Sequence, residues 1–127
     1  MTDSTQTLIA RIESYYAAVD RLAPDPIVAH FTPNATMEIP TGDVRHIGHE
    51  AIRGTYERRE KGVDKSFHGD FTHVIDADNG RAATRLAVRR TSKNGEAIEM
   101  DCIALFSFAG ELIEHIAVWM SGENTLK

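Results

Sequence analysis

The chain has 127 residues, 42% of them apolar, and a net charge of -5 from 14 basic and 19 acidic side chains. That length suits one domain, residues 1–127, around one core, and the acidic balance offers no electrostatic footprint for nucleic acid. No apolar run approaches the roughly 18 residues a membrane span requires, and the polar N-terminus lacks the basic and apolar segments of a secretory signal, so a cytoplasmic location is expected.

Cys102 is the single cysteine and reads as a small core hydrophobe. The basic pairs Arg58-Arg59 and Arg89-Arg90 are too short for a patch and read as solvated surface charge. In the first segment, Asp3 or Ser4 can cap a helix, with Gln6 placed as in a capping box. Its apolar stripe runs Leu8, Ile12, Tyr15, Val19 and Leu22, and Asp20 sits at the border of that stripe beside Ile9 and Tyr16. The phenol of Tyr15 and the carboxylate of Asp20 therefore share the end of one amphipathic helix.

Ala23-Pro24-Asp25-Pro26 breaks this helix and predicts a second short one, with Asp25 as N-cap and Pro26 at the first helical position. The alternation of Ala35, Met37 and Ile39 with Thr36 and Glu38 predicts a short strand, with Ile39 inward and Glu38 outward. Thr41 to Gly48 reads as a loop, and Ile47, Ala51, Ile52 and Tyr56 mark a third helix that ends before Gly62. His46 and His49 have metal-like spacing in this stretch without a matching constellation of other ligands, so no metal site is expected.

From Ser66 onward the pattern is strand-like: Phe67 to Ile75, Arg81 to Thr91, Glu96 to Phe108 and Leu112 to Met120. Short turn signals at Asp78-Asn79-Gly80, Lys93-Asn94-Gly95 and Ala109-Gly110 imply hairpins and an antiparallel sheet. In the third of these strands the even positions, Ile98 through Phe108, form an apolar face, which leaves Asp101 outside it. The last strand is apolar on both faces, with Ile113, His115, Ala117 and Trp119 on one side, and this predicts that the outer sheet face also packs, most economically in a homodimer. The expected architecture is α+β, three helices on one face of a curved, mostly antiparallel sheet.

This order of elements, together with the stretches Ile27 to Glu38, Gly48 to Tyr56 and Gly110 to His115, resembles the nuclear-transport-factor-2-like superfamily and within it the SnoaL-like group. The resemblance implies a cone-shaped domain enclosing an apolar pocket, commonly dimeric. It also allows three catalytic patterns to be compared. The two acid slots of the ketosteroid isomerases fall on Ile39 and Ala104, and the acid slot of the SnoaL cyclases and limonene epoxide hydrolases falls on Ala117, so both chemistries are disfavoured. Scytalone dehydratase, lindane dehydrochlorinase and bile acid 7α-dehydratase pair an Asp at the end of the first helix with a His in a long strand, and here Asp20 and His68 occupy those positions. Tyr15 is similar to the tyrosine of the bile acid enzyme, while the arginine of the dehydrochlorinase is missing.

The resulting expectation is a cofactor-independent lyase or isomerase. His68 is the base, Asp20 orients it, and Tyr15 donates a hydrogen bond to developing negative charge. The pocket lining expected is Tyr16, Ile39, Tyr56, Met100, Ala104, Phe106, His115 and Trp119, the partner a small apolar molecule, and no cofactor is expected. His68 has the parity opposite to Phe67 and Phe71, so it faces the pocket only if both sheet faces are buried or a bulge at Gly69 shifts the register. The alternative is a non-catalytic small-molecule-binding or dimeric interaction module with the same pocket.

Overall fold

The apolar stripe of the first helix decides which way that helix faces. In the computed structural model, which describes residues 2–127 with side chains from residue 4 onward, α1 (Thr2–Asp20) buries Leu8, Ile12, Tyr15 and Val19 against the sheet. The helix begins at Thr2, so Ser4 lies inside it and does not cap it, and the side chain of Asp3 lies outside the described residues. The short helix α2 (Pro24–Val28) starts two residues earlier than its sequence suggests. Pro24 takes the first turn and Ala23 is the N-cap; Asp25 makes no cap bond and instead pairs with Arg53.

The chain continues through β1 (Phe31–Ile39), a one-turn 3-10 helix (Pro40–Gly42), β2 (Val44–Ile47) and α3 (His49–Glu60). The segment read as a loop therefore holds a strand, which pairs antiparallel with β1 from Thr36↔Ile47 to Ile39↔Val44. Its residues alternate only half-buried with exposed, and four residues at a sheet edge give too short a pattern to separate from a loop. His46 and His49 bond backbone carbonyls, Leu126 O at 2.8 Å and Phe31 O at 2.9 Å, and serve as ties between segments.

Four long strands follow: β3 (Val63–Asp76), β4 (Arg81–Ser92), β5 (Ala97–Ala109) and β6 (Leu112–Met120). The six strands form one sheet in the order β2-β1-β6-β5-β4-β3, antiparallel except where β1 runs parallel to β6. The hairpin turns follow the glycine signals; Gly80 adopts φ 62° and an added Cβ there would sit 3.1 Å from Phe108 O. The inner face of the sheet and the helices enclose one core that includes Phe31, Met37, Ile39, Ile52, Leu86, Ala104, Phe106 and Ile116. No helix among the described residues is long and apolar enough to cross a membrane.

The last strand departs from simple alternation. Phe108 pairs with Ile113 but Ser107 pairs with His115, so Glu114 is an extra residue and the register shifts. Ile113, Ile116, Val118 and Met120 then face inward, whereas His115, Ala117 and Trp119 share the outer face. There Val74, Ile103, Leu105 and Trp119 are 69%, 47%, 45% and 36% exposed.

Candidate active site

Asp20 is the final residue of α1, where a negative charge opposes the helix dipole. Three donors converge on its carboxylate: His68 N at 2.9 Å, His68 Nδ1 at 2.6 Å and Ser66 Oγ at 3.0 Å. With a proton on Nδ1 given to Asp20, the Nε2 of His68 keeps its lone pair and is the basic atom.

A bulge turns His68 toward this partner. Gly69 pairs with Ala87 and Thr72 with Arg85, so Asp70 and Phe71 together oppose Leu86. Asp70 adopts φ 54° to make the bend. Before the bulge even residues face inward and after it odd ones do, which brings both His68 and Phe71 inside and leaves Phe67 outside under Arg89, whose Cζ lies 4.7 Å from the ring centroid. Gly69 has no Cβ because the Phe67 ring lies across it.

The Tyr16 ring stacks on His68 at 5.3 Å with 18° between planes, fixing the imidazole. Burial pushes the His68 pKa below its ordinary value, against the hydrogen bond and charge of Asp20, which pull it up, while Arg59 and Arg90 add to the lowering. The imidazole is therefore neutral near pH 7, the state a general base requires.

Arg59 and Ser66 belong to the same network although the sequence reading leaves Arg59 on the surface. Arg59 is 9% exposed and its Nη2 donates to Ser66 Oγ at 3.0 Å, so a chain runs Arg59, Ser66, Asp20, His68. The signal was present: Arg59 lies three residues after Tyr56 and seven after Ile52, on the buried stripe of α3. Ser66 lies two residues before His68, on the same strand face.

A second polar feature is a pair of phenols. Tyr15 and Tyr56 are buried and their hydroxyls hydrogen-bond each other. Burial pushes Tyr15 well above the ordinary phenol value and Tyr56 up to about 12, so both keep their protons. One hydroxyl donates to the other, which leaves a single hydrogen for a ligand oxygen.

These groups share the wall of a cavity of ≈ 440 Å³, open mouth included. Tyr15, Tyr16, Tyr56, Arg59 and His68 supply its polar atoms, and Val19, Leu86, Val88, Met100, Cys102, Val118 and Met120 the apolar remainder, with Thr125 and Leu126 from the C-terminal tail. Burial pushes the Cys102 thiol up to about 11, so it lines the wall as a neutral group. Of the lining expected from sequence, Tyr16, Tyr56 and Met100 are in place. Ile39, Ala104 and Phe106 are core residues that do not reach the cavity. His115 and Trp119 stand on the opposite side of the sheet, because the bulge at Glu114 reverses the parity; His115 Nε2 bonds Glu38 Oε1 there at 3.0 Å. Asp101, also outside, pairs with Arg85 at 2.5 Å.

A family model of the SnoaL-like domain matches residues 12–116. The chain belongs to the SnoaL-like family. Among solved structures, this SnoaL-like chain is similar to the pinacolase BvnE from Penicillium brevicompactum, with TM-score 0.83 and 13% identity over 95% of this chain and 87% of that one. It is also similar to a candidate polyketide cyclase from Xanthomonas campestris, with TM-score 0.81 and 17% identity over 91% of each chain. SalBIII, an epoxide hydrolase/cyclase-like enzyme of pyran ring formation in salinomycin, gives TM-score 0.80 and 22% identity over 91% of this chain and 92% of that one. No curated protein matches the sequence.

The fold is thus the nuclear-transport-factor-2-like one that the stretch resemblances implied. Within it, Ala117 faces away from the cavity, and the residues of this SnoaL-like chain that face inward from the last strand, Ile113, Ile116, Val118 and Met120, carry no acid.

Proposed function

We propose that the protein is a cofactor-independent lyase of dehydratase type, or an isomerase, that removes a proton next to a carbonyl in a small to medium, largely apolar substrate. The observation that carries this reading is the hydrogen bond of 2.6 Å between His68 Nδ1 and Asp20 Oδ1 on the wall of an apolar cavity. In the step proposed, His68 Nε2 takes the proton from the carbon, and the bonding electrons move to the carbonyl oxygen as an enolate. The hydroxyl of the Tyr15–Tyr56 pair that is free to donate stabilises that oxygen. In elimination, collapse of the enolate expels a β-hydroxyl, which leaves as water with the proton His68 holds; in isomerisation the same proton returns to another carbon. Asp20 stabilises the imidazolium between the two steps.

That named enzymes share this fold supports reading the cavity as an active site. The test is exchange of carbon-bound hydrogen in D₂O across a panel of enolisable ketones and β-hydroxy ketones, followed by NMR, with His68→Ala as control. Exchange in wild type that falls by roughly 10²–10⁴-fold in His68→Ala supports the proposal. Tight binding of such ketones without exchange in either protein would leave a binding module instead.

The same reading includes a homodimer through the outer sheet face, where the exposed Ile103, Leu105 and Trp119 are adjacent across β5 and β6.

A further inference from the structure

Arg59 is a buried cation with an unused donor. Its Nη2 is taken by Ser66 Oγ, while Nη1 is buried without any hydrogen-bond partner. A guanidinium stays charged at all accessible pH values, and a buried charge without a counter-charge is costly. Among the described residues no ion pair includes Arg59 or Arg90.

The surrounding carboxylates do not answer that need. Asp20 already accepts from His68 twice and from Ser66 once. Glu60 follows Arg59 in the chain but makes no hydrogen bond to it: burial raises the Glu60 pKa, the charge of Arg59 lowers it, and Oε2 has no partner. A second guanidinium, Arg90, lies opposite Ser66 in the β3–β4 register; burial and the charge of Arg59 lower its pKa, while the charge of Glu123 raises it. Among the described residues, Arg59 is thus the one guanidinium on the cavity wall, whose lining includes no carboxylate and is otherwise mostly apolar.

We propose that Arg59 is the anion-recognition residue of this cavity, and that the natural ligand is an amphipathic carboxylic acid whose carboxylate meets the Arg59 guanidinium while its apolar body fills the rest. This rests on the reading of the cavity as a substrate site, and it adds a handle distinct from the carbonyl that the tyrosine pair would polarise. The substrate class becomes an apolar oxo acid, its carboxylate held by charge and its carbonyl by the phenols.

The probes are 3-phenylpropanoate and its neutral amide, 3-phenylpropanamide, titrated calorimetrically into the full chain at pH 7. The carboxylate is expected to bind at least about tenfold more tightly than the amide, the ratio a single charge-assisted hydrogen bond supplies. Arg59→Gln should bring the carboxylate-to-amide affinity ratio close to one, and Arg59→Lys should restore part of it. Equal binding of the two probes by wild type, no carboxylate binding, or a preference that survives in Arg59→Gln would each overturn the proposal; the wild-type comparison requires no variant to fold. A carboxylate preference that persists in His68→Ala, with no turnover of any ketone by wild type, would sustain the anion site and sink the proton-abstraction reading. Turnover of neutral ketones with no carboxylate preference would do the reverse.

Discussion

His68 Nδ1 and Asp20 Oδ1 lie 2.6 Å apart and join the edge strand β3 to the last residue of α1. The two largest influences that raise the His68 pKa both come from Asp20. Asp20→Asn should therefore lower the His68 pKa further below its ordinary value, measured by NMR titration of the imidazole. A histidine whose titration is unchanged in the variant would show that the pair is not coupled.

The pH dependence of turnover follows from the same imbalance. The base must be neutral, and burial holds His68 below its ordinary pKa of about 6.5. The rate should then fall only on the acid side, below about pH 6.5, and stay flat through neutrality because the tyrosines keep their protons, Tyr56 up to about 12. A rate that rises as pH drops from 7 to 6 would mean that His68 acts as an acid in the rate-limiting step.

Stability should follow a related course. His30 is buried between Ser14 Oγ and Pro26 O, each 2.8 Å from a ring nitrogen, and burial lowers its pKa as it does that of His68. Between the folded values and about 6.5, the unfolded chain binds the protons that the folded chain refuses. Stability is thus full above about pH 6.5 and declines as pH falls below it, as urea denaturation at stepped pH would register. Equal midpoints at pH 7.5 and 5.5 would contradict this.

Much of the fold was readable because the helical stripe of α1 and the even-numbered apolar face of β5 are long, regular patterns. The Asp20–His68 pairing was readable from the resemblance, and the bulge at Gly69 that permits it was an open condition. What was missed follows from breaks in regularity. The extra residue Glu114 reverses the parity of β6 and removes His115 and Trp119 from the cavity. Arg59 was read by residue type as surface charge, although its helical position places it with Ile52 and Tyr56. Ile39, Ala104 and Phe106 are inward as expected, but facing inward does not distinguish a core position from a cavity wall.

The phenol pair offers a direct energetic test. Tyr15→Phe or Tyr56→Phe leaves one buried hydroxyl without its partner, at a cost of about 1–3 kcal/mol. The double variant should be more stable than the sum of the two losses predicts, since no hydroxyl is left stranded. Strict additivity in a denaturation cycle would argue that each hydroxyl has another partner.

On the outer face, Leu105→Lys with Trp119→Lys places charge where Leu105 and Trp119 are 45% and 36% exposed. Light scattering after size exclusion should show wild type as a dimer and the double variant as a monomer with unchanged helix and strand content. A monomeric wild type would remove the homodimer from the proposal.

The C-terminal tail closes one side of the cavity. Leu126 is 6% exposed and lines it, its carbonyl accepts from His46 Nε2 at 2.8 Å, and its N–H donates to Asn124 Oδ1 at 2.9 Å. Thr55 Oγ1 and Arg58 Nη2 hold Lys127 O at 3.1 and 3.0 Å, so the tail is tied to both β2 and α3. Leu126→Ala removes the apolar anchor and keeps the backbone ties. Because a tail can relax more than a strand, the expected loss is about 2 kcal/mol, the low end for burying Ala in place of Leu. The cavity should also become more accessible, so a bound apolar ligand should dissociate faster from Leu126→Ala than from wild type in stopped-flow displacement. A loss under about 0.5 kcal/mol, the size of an ordinary surface substitution, would mean that the tail does not pack on the cavity in solution.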